Sequence, residues 1–212
     1  MSDALDRRPG LPAAELHERI REAAFALLLT KRRAIAPDEI VTATGAPSAA
    51  LPAMLDQLAG AGWIDRDEAG RVTGSAGLSL TTGPHRIEIS GAEFRTWCAD
   101  DAVGIASALG TDAAIRTECA VCSKTIAFDT RAGQPPAGRP ERLWLASGGT
   151  DLRGDFCDPT VLLCSREHAA VWAERQAGHG RAVGLTEAAE LGSEGWASCA
   201  AAVSAVRDGP KA

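Results

Sequence analysis

The sequence is poor in aromatic residues, which make up 4% of its 212 positions, and it has no tyrosine. It also lacks an uninterrupted run of about 18 apolar residues, the length that a membrane-spanning helix requires. Its first twenty residues contain no apolar segment of the kind that directs secretion. The net charge of −6 has the wrong sign for a surface that binds nucleic acid. These absences predict a cytoplasmic protein that binds neither membranes nor nucleic acids.

Cysteine is the reactive residue type that the sequence does contain, at six positions: Cys98, Cys119, Cys122, Cys157, Cys164 and Cys199. In a reducing compartment such thiols bind metals, take part in catalysis or pack as small apolar side chains more often than they form disulfides. The remaining question is which of these roles each cysteine fills.

The first third of the chain predicts three helices followed by a β-ribbon. Apolar residues recur at helical spacing in residues 14–30, and Pro37 and Gly45 bracket a short second helix. Ser48 is a candidate N-cap for a third helix, and two short strands flank a turn at Gly70. This order of elements is typical of a winged-helix module.

We place this winged-helix-like domain at residues 13–82, after a flexible polar tail at residues 1–12. Its third helix, residues 48–60, contains no Lys or Arg and carries Asp56. A helix that reads DNA needs basic and amide side chains to reach phosphates and base edges. The sequence therefore favours a module that packs against the rest of the protein over one that binds DNA.

We expect residues 83–206 to form a catalytic domain of mixed α+β class, with a small sheet and packed helices. Residues 207–212 are expected to form a C-terminal tail. Alternation at Arg86–Ile89 predicts a strand. Residues 94–109 predict a helix, and a single closing helix is expected to begin with Thr186 as its N-cap.

Cys119 and Cys122 form a C-x2-C pair, which is able to ligate zinc or to cycle as a dithiol. A structural zinc site would need two more ligands, and Cys157 and Cys164 are the remaining close pair, with a spacing outside the usual zinc knuckle. If the segment is a strand, Cys119 and Cys122 point to opposite faces. The pattern therefore favours small buried side chains over a zinc site.

Cys98 and Asp101 share one face of the predicted helix, because residues three apart are neighbours on a helix surface. A carboxylate beside a thiol raises the pKa of both groups, since like charges disfavour joint ionisation. Raised pKa values in both groups suit a proton transfer between them better than attack by a simple thiolate nucleophile. Taken alone, the pair is better explained as a buried cysteine beside a solvated helix edge at Asp100 and Asp101, and a Cys–His hydrolase stays open.

Three stretches carry a family resemblance: "WCADD" at residues 97–101, "TECAVCSKTIAFDT" at 117–130 and "DFCDPTVLLCS" at 155–165. With them, nearly the whole chain resembles the organomercurial (alkylmercury) lyases of bacterial mercury resistance. The resemblance implies the same two-part fold. It also implies that Cys98 and Cys157 bind mercury, that Asp101 is the catalytic aspartate, and that Cys119 has a structural role.

The chemistry that the resemblance implies is protonolysis of a carbon–mercury bond. Thiolates are the preferred ligands of a soft ion such as Hg(II), and Asp101 would carry a thiol proton to the carbon as a general acid. The products are a hydrocarbon and Hg(II), held by Cys98, Cys157 and Asp101. No cofactor is implied, external thiols are needed for turnover, and cellular thiols or a mercuric reductase are the implied Hg(II) acceptors. Trp97 and Phe94 are candidates for an apolar substrate pocket, or for the core.

Two other functions use the same residues. A winged-helix, metal-responsive transcriptional regulator would need a basic DNA-facing surface, which residues 48–60 do not supply. A non-catalytic metal-binding protein would hold an ion with the same thiols and release no hydrocarbon. The presence of Cys98, Asp101 and Cys157 in matching contexts favours the lyase.

Overall fold

The structure is a computed structural model that describes residues 15–147 and 149–208. The predicted tail at residues 1–12 lies outside this range, and the tail at 207–212 is described only to Asp208. The described helices are α1 Glu15–Lys31, α2 Pro37–Thr44, α3 Leu51–Gly60, α4 Ala99–Ala108, α5 Arg166–Arg175, α6 Leu185–Gly195 and α7 Ala197–Asp208. The described strands are β1 Ile64–Arg66, β2 Val72–Ser75, β3 Leu78–Ser79, β4 His85–Ile89, β5 Ala92–Thr96, β6 Ala113–Glu118, β7 Thr125–Thr130, β8 Arg142–Ala146, β9 Leu162–Leu163 and β10 Gly180–Gly184.

The strands form two antiparallel sheets, which confirms the predicted mixed α+β class. The large sheet has seven strands in the order β1-β2-β3-β5-β4-β6-β7, and the small sheet has three in the order β10-β8-β9. The large sheet crosses the predicted domain boundary at residue 82, because β3 pairs with β5 through Leu78–Thr96 and Ser79–Arg95. Within the described residues, no helix combines the length and apolar character needed to cross a bilayer.

The three N-terminal helices and the hairpin β1–β2 follow in the predicted order. Gly45 ends α2 in the left-handed conformation, with φ of 67°. Ser48 is not the N-cap of α3, so this prediction is wrong. Residues 48–50 form a turn, in which the Ala50 amide donates to the Pro47 carbonyl at 3.0 Å. The helix begins at Leu51 because Pro52 is best accommodated in its first turn.

The helix predicted at residues 94–109 is wrong in its first part. Residues 92–96 form strand β5, in which Phe94 and Thr96 are buried while Arg95 is partly exposed. This alternation has the period of a strand, and α4 begins only at Ala99. Cys98 therefore lies at the junction of strand and helix, and not on a helix face.

The single closing helix is also wrong, because two helices meet at Trp196. Helix α6 begins at Leu185, so Thr186 lies inside it, and Gly184 occupies the N-cap. The Trp196 indole donates to the Ala76 carbonyl at 2.7 Å. Gly104 lies directly under that indole, where a Cβ atom would overlap the ring. This contact packs α6 and Trp196 against α4, the helix whose N-cap is Cys98.

Candidate functional site

Cys98, Asp101 and Cys157 meet in one buried cluster, in which a ligand atom from each lies within 4.8 Å of the others. Cys98 is the N-cap residue of α4, and Asp101 is the third residue of that helix. Cys157 ends a π-helical turn at Leu152–Cys157, a rare geometry that often occurs at functional sites. The exposed fractions are 0%, 2% and 4% for Cys98, Asp101 and Cys157. The structure thus brings together the three residues that the sequence singled out.

The helix cap fixes the position of the Asp101 carboxylate. The Cys98 backbone amide donates to Asp101 Oδ2 at 2.8 Å, which satisfies one of the free amide groups at the start of the helix. Gly77 packs against the other carboxylate oxygen, where a Cβ atom would overlap Oδ1, and its φ of +91° favours glycine. The carboxylate is therefore held between the helix cap and the Gly77 backbone.

The Cys98 thiol is protonated at neutral pH. Burial, a hydrogen bond with the Cys157 thiol and the negative charge of Asp101 together raise the pKa of Cys98 well above its usual value. A metal ion that bound this sulfur as a thiolate ligand would therefore release a proton inside the cluster. Asp101 is the adjacent carboxylate, so a proton acceptor lies within reach.

Arg153 ties the π-helical turn of Cys157 to the N-terminal part of the chain. Its guanidinium lies 3.2 Å from the centroid of the Trp97 ring and donates to Asp65 Oδ1 at 2.8 Å. The Trp97 indole donates to the second oxygen of the same Asp65 carboxylate, also at 2.8 Å. Asp65 thus binds both Trp97, the residue before Cys98, and Arg153, which lies in the turn that carries Cys157.

A cavity of about 660 Å³ opens beside the cluster, and its wall includes Trp97, Cys157, Asp158 and Val161. Cys157 is therefore the cluster thiol that faces the cavity, whereas Cys98 has no exposed surface. Of the two aromatic residues predicted for a substrate pocket, Trp97 contributes to this wall. Phe94 lies in the hydrophobic core instead.

A second cluster was not foreseen in the sequence: Cys119, Cys122, Cys164 and His168 place one ligand atom each within 4.8 Å of one another. The segment that follows β6 is a hairpin turn and not a strand, since the Ser123 amide donates to the Cys119 carbonyl at 2.8 Å. Cys119 and Cys122 would point to opposite faces only in a strand, and that condition is not met because β6 ends at Glu118. The turn brings both thiols to one side.

His168 is the fourth member of this cluster, which contains Cys164 but not Cys157. Ser165 caps α5 by accepting from the His168 amide at 3.3 Å. The cap places the His168 ring beside Cys164, with 3.1 Å between Nδ1 and Sγ. The C-x3-H spacing of Cys164 and His168 was the available indication in the sequence.

The sulfurs of this second cluster differ in protonation. Burial raises the pKa of Cys119, but hydrogen bonds from the backbone amides of Cys164, Val121 and Cys122 outweigh it and lower the pKa to about 6. Burial and the neighbouring sulfurs of Cys119 and Cys122 raise the pKa of Cys164 to about 11. The surroundings therefore favour ionisation at Cys119 over ionisation at Cys164.

The sequence model of a family described as alkylmercury lyase (MerB) matches residues 78–197, which include the first cluster. The alkylmercury lyase of Pseudomonas putida is 26% identical over 154 residues, covering 71% of this chain and 71% of that protein. The enzyme of Staphylococcus epidermidis is 26% identical over 139 residues, covering 64% and 62%. A solved structure titled the mercury-bound form of MerB2 has a TM-score of 0.72 at 20% identity, covering 88% of this chain and 98% of that one.

Proposed function

Since the chain belongs to the alkylmercury lyase family, we propose that it cleaves the carbon–mercury bond of organomercury compounds by protonolysis, giving a hydrocarbon and Hg(II). The observation that carries this proposal is the buried cluster of Cys98, Asp101 and Cys157, whose ligand atoms lie within 4.8 Å of one another. Two thiols suit a soft ion, and a carboxylate beside them suits proton transfer.

The reaction begins at Cys157, because this thiol faces the cavity. Its sulfur replaces the thiol or halide ligand of an R–Hg–X substrate, and the Cys157 proton leaves with X. Mercury, now bound to R and to Cys157, lies next to the Cys98 sulfur. Burial places this step away from bulk water, which strengthens the electrostatic interactions around the ion.

Cys98 then binds as the second sulfur and transfers its proton to Asp101. The added sulfur ligand increases the electron density on the Hg–C bond. Asp101 delivers the proton to the carbon, the electron pair of the Hg–C bond forms the new C–H bond, and R–H leaves. The carboxylate is regenerated, and Hg(II) stays between Cys98 and Cys157 with Asp101 alongside. Cys98 keeps its proton until mercury arrives, which its raised pKa favours.

Turnover in this scheme requires external thiols, which remove Hg(II) from the two cysteines by ligand exchange. Cellular thiols and a mercuric reductase are the proposed acceptors, and the cytoplasm is the proposed location. The residues of the cluster supply both the metal ligands and the proton, so the scheme uses no organic cofactor.

We also propose that residues 13–82 form a winged-helix-like domain that is joined to a catalytic domain at residues 83–206 through the pairing of β3 with β5. In support, Asp65 of β1 holds Arg153 and Trp97 beside the site. Helix α3, the position of a recognition helix, contains no Lys or Arg, and its Asp56 pairs with Arg66. A packing role accounts for these contacts, and a DNA-binding regulator does not.

The test is the release of benzene from a phenylmercury salt by the purified protein in excess thiol, measured by gas chromatography. We expect Cys98→Ser, Cys157→Ser and Asp101→Asn each to slow release by about a hundredfold or more. Cys199→Ala, which removes a buried thiol of α7 outside both clusters, is the matched control and should retain activity. The proposal fails if the wild type releases no benzene, or if the three variants match it.

A further inference from the structure

We propose that Cys119, Cys122, Cys164 and His168 form a structural zinc site, separate from the mercury-binding cluster. The four residues contribute three sulfurs and one imidazole nitrogen, a ligand set that structural zinc sites use. This inference does not depend on the lyase activity, because it concerns a different set of residues.

The distances between the ligand atoms already match a tetrahedral zinc site. With Zn–S bonds of about 2.3 Å and a Zn–N bond of about 2.0 Å, tetrahedral geometry separates two sulfurs by about 3.8 Å and a sulfur from the nitrogen by about 3.5 Å. The Cys122 and Cys164 sulfurs are 3.8 Å apart. His168 Nδ1 lies 3.4 Å from Cys119 Sγ and 3.1 Å from Cys164 Sγ. One ion would thus reach all four atoms with small adjustments.

The ligands also come in two close pairs along the chain, C-x2-C followed later by C-x3-H, and zinc sites commonly draw their ligands from two such pairs. Two separate parts of the chain hold the ligands. The hairpin turn after β6 carries Cys119 and Cys122, whereas Cys164 lies just after β9 and His168 lies in the first turn of α5. The Cys164 amide donates to Cys119 Sγ at 3.4 Å. Such amide–sulfur bonds orient a thiolate ligand from outside the first shell of atoms around the metal.

The ligand set favours zinc over mercury and over a disulfide. An imidazole suits zinc, whereas two thiolates suffice for a soft ion such as Hg(II). A disulfide between Cys122 and Cys164 would require their sulfurs to approach from 3.8 Å to about 2.05 Å. It would also leave Cys119 and His168 facing each other without a function. Four protein ligands fill the tetrahedral positions, so the site is structural and not catalytic.

The position of the site indicates what the ion would stabilise. Strand β6 belongs to the large sheet and β9 to the small one, and in the described residues Ala120 and Leu162 share a backbone hydrogen bond of 3.3 Å near the site. Zinc coordination would cross-link the two sheets at this point. Cys119 and Ala120 also line the cavity that Cys157 faces, so the ion would fix one wall of that cavity.

The test is the zinc content of protein purified under reducing conditions without chelators, measured by mass spectrometry of the metal. We expect about one zinc per chain. Cys122→Ser changes an exposed side chain and should leave the fold intact, yet it should lower the zinc content severalfold. Cys98→Ser is the matched control, because it removes a thiol of the mercury-binding cluster and should keep the full zinc content.

A second measurement needs no variant. Reduced, metal-free wild type titrated with Co(II) should give the absorption of a tetrahedral cobalt–thiolate complex that saturates at about one equivalent, and Zn(II) should displace it. The inference is overturned if the wild type takes up neither ion, if the zinc follows Cys98 instead of Cys122, or if freshly purified protein holds a Cys122–Cys164 disulfide. Because benzene release is read separately, either proposal is able to fail alone.

Discussion

The Cys98 backbone amide donates to the Asp101 carboxylate at 2.8 Å, so one helix cap holds both a proposed mercury ligand and the proposed proton donor. Asp101→Asn keeps an oxygen that accepts this bond but has no carboxyl proton to give. We expect a melting temperature close to that of the wild type, with benzene release reduced by about a hundredfold or more. Asp101→Ala loses the cap as well and should be destabilised by about 1 kcal/mol. Thermal unfolding and gas chromatography separate the two effects.

Gly77→Ala should impair catalysis although it replaces no reactive residue. The new methyl group would overlap Asp101 Oδ1 at a backbone φ of +91°, so the carboxylate or the strand must move. Gly91→Ala is the matched control, because its φ is +73° and no atom lies within 4 Å of a Cβ there. Both variants should lose about 1 kcal/mol of stability from backbone strain. Only Gly77→Ala should lower kcat, and equal kcat values would contradict this account of Gly77.

Arg153→Ala should loosen the turn that carries Cys157. The variant loses the stacking on Trp97 and the hydrogen bond to Asp65, and we expect a lower kcat together with faster alkylation of Cys157. Arg153→Lys should rescue poorly, because a lysine cannot stack and donate in the same planar geometry. Arg181→Ala, which removes an exposed ion pair with Glu187, serves as the control. A normal alkylation rate in Arg153→Ala would argue against a positioning role.

Stability should fall in acid through His85. Burial lowers its pKa to about 4, from 6.5 for an unperturbed histidine, and its Nδ1 contacts the Thr117 hydroxyl at 2.6 Å. Between these two values the unfolded chain binds the proton and the folded chain does not, so stability is complete above pH 6.5 and declines as the pH falls towards 4. The loss approaches about 3 kcal/mol. Urea unfolding at several pH values measures it.

His85→Gln should remove that part of the pH dependence, whereas His179→Gln, which changes an exposed side chain, should leave it unchanged. The difference between wild type and His85→Gln is the informative quantity, because carboxylates elsewhere also titrate over this range. Parallel stability curves for the two proteins would show that His85 does not carry the effect.

The sequence predicted the fold class and the members of the first cluster, but not how the cluster is built. The spacing of Phe94, Trp97 and Cys98 fits a helix, although residues 92–96 form a strand. The pairing of β5 with β3 and with β4 makes this segment a strand. β3 is distant from β5 in the sequence, and β4 lies across a turn from it, so neither pairing is visible in the local pattern. Cys98 was therefore expected on a helix face. Its place at the N-cap depends on that strand ending at Thr96.

The second cluster was missed for a different physical reason. Strand alternation separates Cys119 from Cys122, and only a tight turn, with Ser123 at φ of 58°, brings them together. Positive φ values are uncommon for residues other than glycine, so the local sequence gives little indication of this turn. The position of α5, which brings His168 to this turn, also depends on how the two sheets pack. No local sequence pattern encodes that packing.

The sheet that continues from β3 into β5 makes the two halves of this protein inseparable in practice. A fragment that begins at residue 83 would leave one side of β5 without its partner, and exposed strand edges promote aggregation. It would also lack Gly77, whose backbone packs against Asp101. We therefore expect the N-terminal segment to be required for the proposed activity, and unfolding should be cooperative across the residue-82 boundary.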